Sequence, residues 1–129
     1  MKVYESSIKV TAADLDDLHH VNNVVYLRWA QDAAKNHWQD QASKSLTNKY
    51  VWMVLRHEID YAGQALLGDE LTARTWVAWS EGVKSERLVE IIKTSDQKTI
   101  VKVKTLWCLL DAQTKKPARI DPAIREIFQ

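Results

Sequence analysis

The 129-residue sequence predicts an α+β fold, and two patterns carry that expectation. One run, residues 23–39, has helical spacing, while five runs alternate as strands do, one before the helix and four in series after it. The order strand, helix, four strands and a terminal helical turn describes one long helix against a five-stranded antiparallel sheet. At 46% hydrophobic residues the chain can fill a single core, so residues 1–129 are expected to form one domain.

The first strand is expected over residues 3–10, where Tyr4, Ser6, Ile8 and Val10 share one face. In the helix, Tyr26, Ala30, Ala33 and His37 recur at helical spacing, with Leu27, Ala34 and Trp38 widening the stripe. Three alanines on that face let the helix backbone press closely into a curved sheet. Residues 41–49 read as a polar loop. Over residues 51–61 the alternation places Val51, Met53, Leu55, His57, Ile59 and Tyr61 on one face, opposite Val54, Arg56, Glu58 and Asp60. Gly68-Asp69 and Ser80-Glu81-Gly82 supply turns before strands at 70–79 and 83–94, and Ser95 to Lys98 precedes a strand at 99–110. Asp121-Pro122 opens a short C-terminal helix, with Asp121 as its cap and Pro122 in its first turn. His37 and His57 read as core histidines, His57 at the border of a pocket. A sheet covered on one face by its own helix leaves an edge or outer face to protect, which favours self-association.

With 18 basic and 17 acidic residues, the net charge of +1 gives no field suited to nucleic acid. Cys108 stands alone, so neither an intramolecular disulfide nor a multi-cysteine zinc site is expected, in keeping with a reducing compartment. The N-terminal residues carry no apolar signal-like core, and no run of 18 apolar residues occurs, so a cytoplasmic protein without membrane contact is expected. Six tryptophans are many for this length, and Trp52, Trp76, Trp79 and Trp107 lie in strand-like segments, where a buried subunit interface can use them.

Chemistry is expected between residues 14 and 23, where Asp14, Asp16, Asp17, His19, His20, Asn22 and Asn23 crowd ahead of the helix. A carboxylate, an imidazole and the free N–H groups of a helix start suit acyl transfer to water. Asp14 and Asp17 read as loop and capping residues. Asn22 and Asn23 are both favoured caps, one filling that role and the other holding substrate or the loop. The backbone N–H groups of Val21, Asn22 and Asn23 are the candidate oxyanion donors. A metal held by His19, His20 and Asp16 is not expected, because vicinal histidines rarely converge on one ion. The chemistry requires no cofactor.

The spacing Asp-x-Asp-x-x-x-His-Val-Asn-Asn-x-x-Tyr-x-x-Trp, from Asp14 to Trp29, resembles the hotdog-fold acyl thioesterases. Within them it is most similar to the branch holding 4-hydroxybenzoyl-CoA thioesterase, bacterial acyl-CoA thioesterases and plant acyl-ACP thioesterases. Ile59-Asp60-Tyr61 followed by Gly68 to Leu71 fits the same family. The resemblance implies a hotdog fold, dimeric through sheet edges and often tetrameric, acting on acyl-CoA or acyl-ACP. It makes Asp16 the nucleophile or general base, and His20 the counterpart of the histidine in the plant enzymes' His-Val-Asn-Asn motif. Two positions depart from the family. His19 stands where many bacterial members have glycine, and Leu18 where plant members have asparagine. With Gly82 aligned to the plant enzymes' turn, Glu81 replaces their cysteine and Cys108 lies in another strand, so no cysteine nucleophile is expected.

On this reading His20 orients Asp16 or water, or donates to the leaving thiolate. Tyr26 packs in the core with its hydroxyl toward the pocket. Glu81 and Ser85 either face the partner subunit's Asp16 or are ordinary turn residues. Lys84, Arg87, Lys93, Lys98, Lys102 and Lys104 either meet the phosphates of coenzyme A or form solvated strand faces. Two other functions fit the same pocket, a non-catalytic acyl-thioester binding module and a hotdog hydratase or dehydratase.

Overall fold

The computed structural model describes residues 2–129. Strand β1 spans Tyr4–Lys9, helix α1 Asn23–Gln41, helix α2 Lys44–Lys49, strand β2 Tyr50–Tyr61, β3 Glu70–Glu81, β4 Lys84–Lys93, β5 Thr99–Asp111 and helix α3 Pro122–Phe128. The strands form one antiparallel sheet in the order β1-β3-β4-β5-β2, so β2 leaves the helix and crosses to the far edge. Gly82 makes the β3–β4 turn at φ +62°, a conformation that costs a residue without a Cβ little.

α1 lies across one face of this sheet. Ala30 and Ala33 are almost fully buried there with Tyr26 and Trp29, against Leu71, Ala73, Val89, Ile91, Val101 and Val103. The alanines do what the sequence suggested, bringing the helix axis close to the strands. The buried stripe also takes in Val25 and Trp29, while Leu27 packs at its margin. At the other end of α1, Trp38 joins Tyr50, Leu109, Ile124 and Phe128, so α3 closes the core beside the last turn of α1. The Asp121 carboxylate caps α3 by accepting from Ile124 N at 3.0 Å.

Two expectations are corrected. Residues 41–49 are not simply a loop, because Ser43 Oγ accepts from Leu46 N at 3.3 Å and starts α2. In β2 the alternation does not run unbroken. Val54 pairs with Trp107 and Arg56 with Leu106, leaving Leu55 as the extra residue of a β-bulge. Tyr50 and Trp52 therefore turn toward the helix before the bulge, and His57 and Ile59 after it, while Val51, Met53 and Leu55 are exposed. No helix among the described residues is long and apolar enough to cross a membrane.

Candidate active site

Between β1 and α1 the chain makes a turn of 3-10 helix, Ala12–Asp14, and then a tight hairpin closed by a bridge between Leu15 and Val21. Asp14 is buried and structural. Its carboxylate accepts from Thr11 N, Thr11 Oγ1 and Arg28 Nη2. Asp17 is exposed at the tip of the hairpin.

Asp16 is held differently. Its Oδ1 accepts from Leu18 N at 2.9 Å and His20 N at 3.1 Å, while its own N–H donates to His20 O at 2.8 Å. Its Oδ2 has no hydrogen-bond partner among the described residues. One oxygen is thus fixed by the hairpin and the other is free to meet a reactant. The turn requires His19 at φ +61°. That is the left-handed region where glycine is least strained.

His20 orients Asp16 through its backbone N–H, and its imidazole makes no hydrogen bond among the described residues. Asn22 is the N-cap of α1, its Oδ1 accepting from Val24 N at 3.2 Å. Two of the three candidate oxyanion donors are already spent, because Val21 N donates to Ala65 O and Asn22 N to Asp14 O. Asn23 N alone of the three has no acceptor among the described residues, and the Asn23 side chain is exposed. Tyr26 packs in the core. It is buried, and its hydroxyl accepts from Ala65 N at 2.9 Å, which anchors the loop after β2. Burial, its largest influence, raises the Tyr26 pKa above the ordinary 10.0. Beside it, the partly exposed Tyr61 donates from its hydroxyl to Asn23 O, tying the end of β2 to the start of α1.

A cleft of about 320 Å³ opens at the other end of α1. Its lining includes Trp38, Tyr50, Trp52, Trp107 and Phe128, with Ser85 and Arg87 on the β4 side. Ser85 is buried, its Oγ bonded to Ser80 Oγ and Trp79 O. Glu81 is exposed at the end of β3 and does not line the cleft. Arg87 is only 5% exposed. Its Nη1 donates to His37 Nδ1 at 2.9 Å and to Thr75 Oγ1 at 3.1 Å, and its guanidinium lies 5.0 Å from the Phe128 ring. Desolvation lowers the Arg87 pKa to about 10, and desolvation followed by the Arg87 charge lowers that of His37 to about 4. His57 bonds Thr105 Oγ1 through Nδ1 and Gln31 through Nε2, and burial lowers its pKa too. Both histidines are thus partnered, His37 in the interior and His57 half-buried.

Sequence reading grouped Arg87 with the surface lysines. The usable signal was its phase, since Arg87 alternates with Ser85, Val89 and Ile91 on the buried face of β4. Trp38, Trp52 and Trp107, expected from the sequence at the core or an interface, line one cleft. Among the described residues no three His, Cys, Asp or Glu side chains group as a metal site would require.

A long helix gripped by a five-stranded antiparallel sheet and entered through a carboxylate-bearing hairpin defines the hotdog class of thioesterase. Residues 10–128 match the model of the thioesterase-like superfamily, and the chain belongs to that superfamily. Comparison with the curated proteins finds no match. Among solved structures, the chain is 26% identical to a thioesterase from Thermus thermophilus complexed with coenzyme A and zinc, covering 97% of this chain and 96% of that one with a TM-score of 0.83. It is 22% identical to the probable thioesterase YbaW of Escherichia coli, over 95% and 94% of the two chains, with a TM-score of 0.84. With Slr0204, a 1,4-dihydroxy-2-naphthoyl-CoA thioesterase from Synechocystis, identity is 14%, coverage 98% and 96%, and TM-score 0.85. The last two likenesses are likenesses of fold.

Proposed function

We propose that this protein is a cytoplasmic enzyme that hydrolyses an acyl thioester of coenzyme A, or of an acyl carrier protein, to free acid and thiol. The observation that carries the reading is the Asp16 carboxylate, with Oδ1 fixed by two amides and Oδ2 free. Coenzyme A in the Thermus thermophilus thioesterase supports that carrier. Cytoplasmic placement rests on the single, unpaired Cys108.

Oδ2 acts in one of two ways. It adds to the thioester carbonyl and expels the thiolate, leaving a mixed anhydride that water then cleaves, or it takes a proton from a water that adds instead. Either path puts negative charge on the carbonyl oxygen, and the unspent Asn23 N–H at the start of α1 is the donor suited to it.

Hairpin and cleft are far apart within one chain. From Asn23 to Trp38 is about 22 Å along α1 at 1.5 Å per residue. A dimer removes the separation. β2 is an edge strand, tied to the hairpin end of α1 by Tyr61 and to the cleft by Tyr50 and Trp52. Antiparallel pairing of β2 with its copy brings the Tyr61 end of one protomer to the Tyr50 end of the other. Each site then joins one Asp16 hairpin to the other protomer's cleft, where Ser85 lies in the acyl pocket. A tetramer would further cover Val51, Met53 and Leu55 on the outer face.

The test is thiol release from short, medium, long and aromatic acyl-CoAs and from acyl-ACP, on wild type and Asp16→Asn. We expect turnover by wild type and a loss of about 100-fold or more in the variant. A folded Asp16→Asn protein as fast as wild type overturns the mechanism. Tight binding without turnover makes the protein a binding module, and water added to or lost from an intact thioester makes it a hydratase.

A further inference from the structure

We infer that the Arg87 cleft selects acyl groups that carry a carboxylate at the end remote from the thioester. The inference rests on the thioesterase reading and names its substrate class. Arg87 is a nearly buried cation whose protein partners are all neutral, namely His37 Nδ1, Thr75 Oγ1 and the Phe128 ring. No carboxylate pairs with it among the described residues, and none lines the cleft. A guanidinium has five N–H donors, and here only Nη1 donates. Nε and Nη2 have no protein acceptor among the described residues. Burying a charge in this way is costly unless an opposite charge completes it.

A second group points the same way. Trp107 is 8% exposed and its Nε1–H has no hydrogen-bond partner, although buried indoles normally find one. Trp107 and Arg87 both line the cleft, on adjacent strands, together with Ser85, the direct pairing partner of Trp107. The only other charged lining residue is Lys35, also a cation. A planar oxyanion entering here meets a guanidinium able to bind it with two parallel bonds. Five aromatic residues also line the cleft, which suits the apolar part of the acyl group. The diphosphate of coenzyme A is a poor occupant, since a half-enclosed aromatic cleft with one deep cation would strip water from several charges and neutralise few of them.

The experiment pairs adipoyl-CoA with hexanoyl-CoA, which differ in the terminal carboxylate, and assays wild type, Arg87→Met and Trp107→Phe. Separately, adipate and hexanoate are titrated against the protein's tryptophan fluorescence, a signal that needs no turnover because Trp38, Trp52 and Trp107 line the cleft. Wild type is expected to prefer adipoyl-CoA by about tenfold or more in kcat/KM. Arg87→Met should abolish or reverse the preference. Trp107→Phe should reduce it several-fold, and this variant carries the test if Arg87→Met lacks a cooperative unfolding transition. Equal use of the two thioesters by wild type, or a preference that survives both substitutions, overturns the inference and leaves hydrolysis standing. Hydrolysis of neither thioester, nor of any acyl-CoA or acyl-ACP in the wider panel, with selective quenching by adipate, rejects the thioesterase reading and upholds the anion site. No turnover and no selective quenching overturns both.

Discussion

A buried imidazole that accepts a hydrogen bond from a guanidinium has to stay neutral, and His37 is in that position. It is 2% exposed, stacked on Tyr4 at 4.9 Å and bonded to Arg87, with its pKa lowered from 6.5 to about 4. As pH falls below 6.5 the unfolded chain takes up a proton that the folded chain refuses until about pH 4. The contribution of His37 to stability is therefore constant above pH 6.5, falls between 6.5 and 4, and has lost about 3 kcal/mol at the lower end. His37→Asn keeps an acceptor for Arg87 but cannot titrate. Its unfolding free energy, measured by urea denaturation from pH 7 to 5, should fall less steeply than that of wild type; equal slopes would show that His37 is not the group responsible. At this scale the sequence singles out Asp16 as the candidate only through the family resemblance, since Asp14 and Asp17 lie equally close ahead of the helix start. It did not disclose which Asp16 oxygen is free or which loop amides are spent, because both depend on how one hairpin closes.

Among the elements, β2 shows where periodicity loses its force. Val51-Trp52-Met53-Val54-Leu55 is apolar at five consecutive positions, so both phases of the strand look buried and alternation cannot choose between them. Only the charged half, Arg56 to Asp60, fixes a phase, and carrying that phase backward through an unseen bulge put Val51, Met53 and Leu55 on the wrong face. α2 escaped for another reason, since six residues are too few to display a stripe. β1, β3, β4 and β5 were legible because their alternation or turn residues were unambiguous, and α1 because its stripe ran for several turns. The bulge makes its own prediction. Leu55 is the extra residue, so deleting it joins Val54 to Arg56 with both halves of β2 still in their helix-facing phase. Deleting Glu58 instead throws one half out of phase with the core. The Leu55 deletion should unfold cooperatively within a few degrees of wild type, whereas the Glu58 deletion should lose its transition or fall far below it; similar melting of the two would reject this register.

For the whole molecule, the issue is which edge of the sheet is closed. β1 ends one side with six residues that expose Glu5 and Lys9, a short and charged edge. β2 ends the other with twelve residues, exposing Val51, Met53, Leu55 and Tyr61. Around the hairpin end, Leu18, Val24 and Leu66 are exposed as well. A protein that leaves its longer and more apolar edge open invites a second copy to pair there. On the proposed two-chain site such pairing would be functional, because Asp16 would need another protomer's cleft. Met53→Lys with Leu55→Lys sets four new cations along the junction of a two-fold dimer, while both side chains face away from α1 and its core. In sedimentation velocity the double variant should run as a monomer where wild type runs as a dimer or larger. Its melting transition should remain cooperative, and its thiol release should fall about as far as in Asp16→Asn although Asp16 is intact. A folded monomer with wild-type turnover would require the hairpin to act with groups of its own chain, and the two-chain site would be wrong.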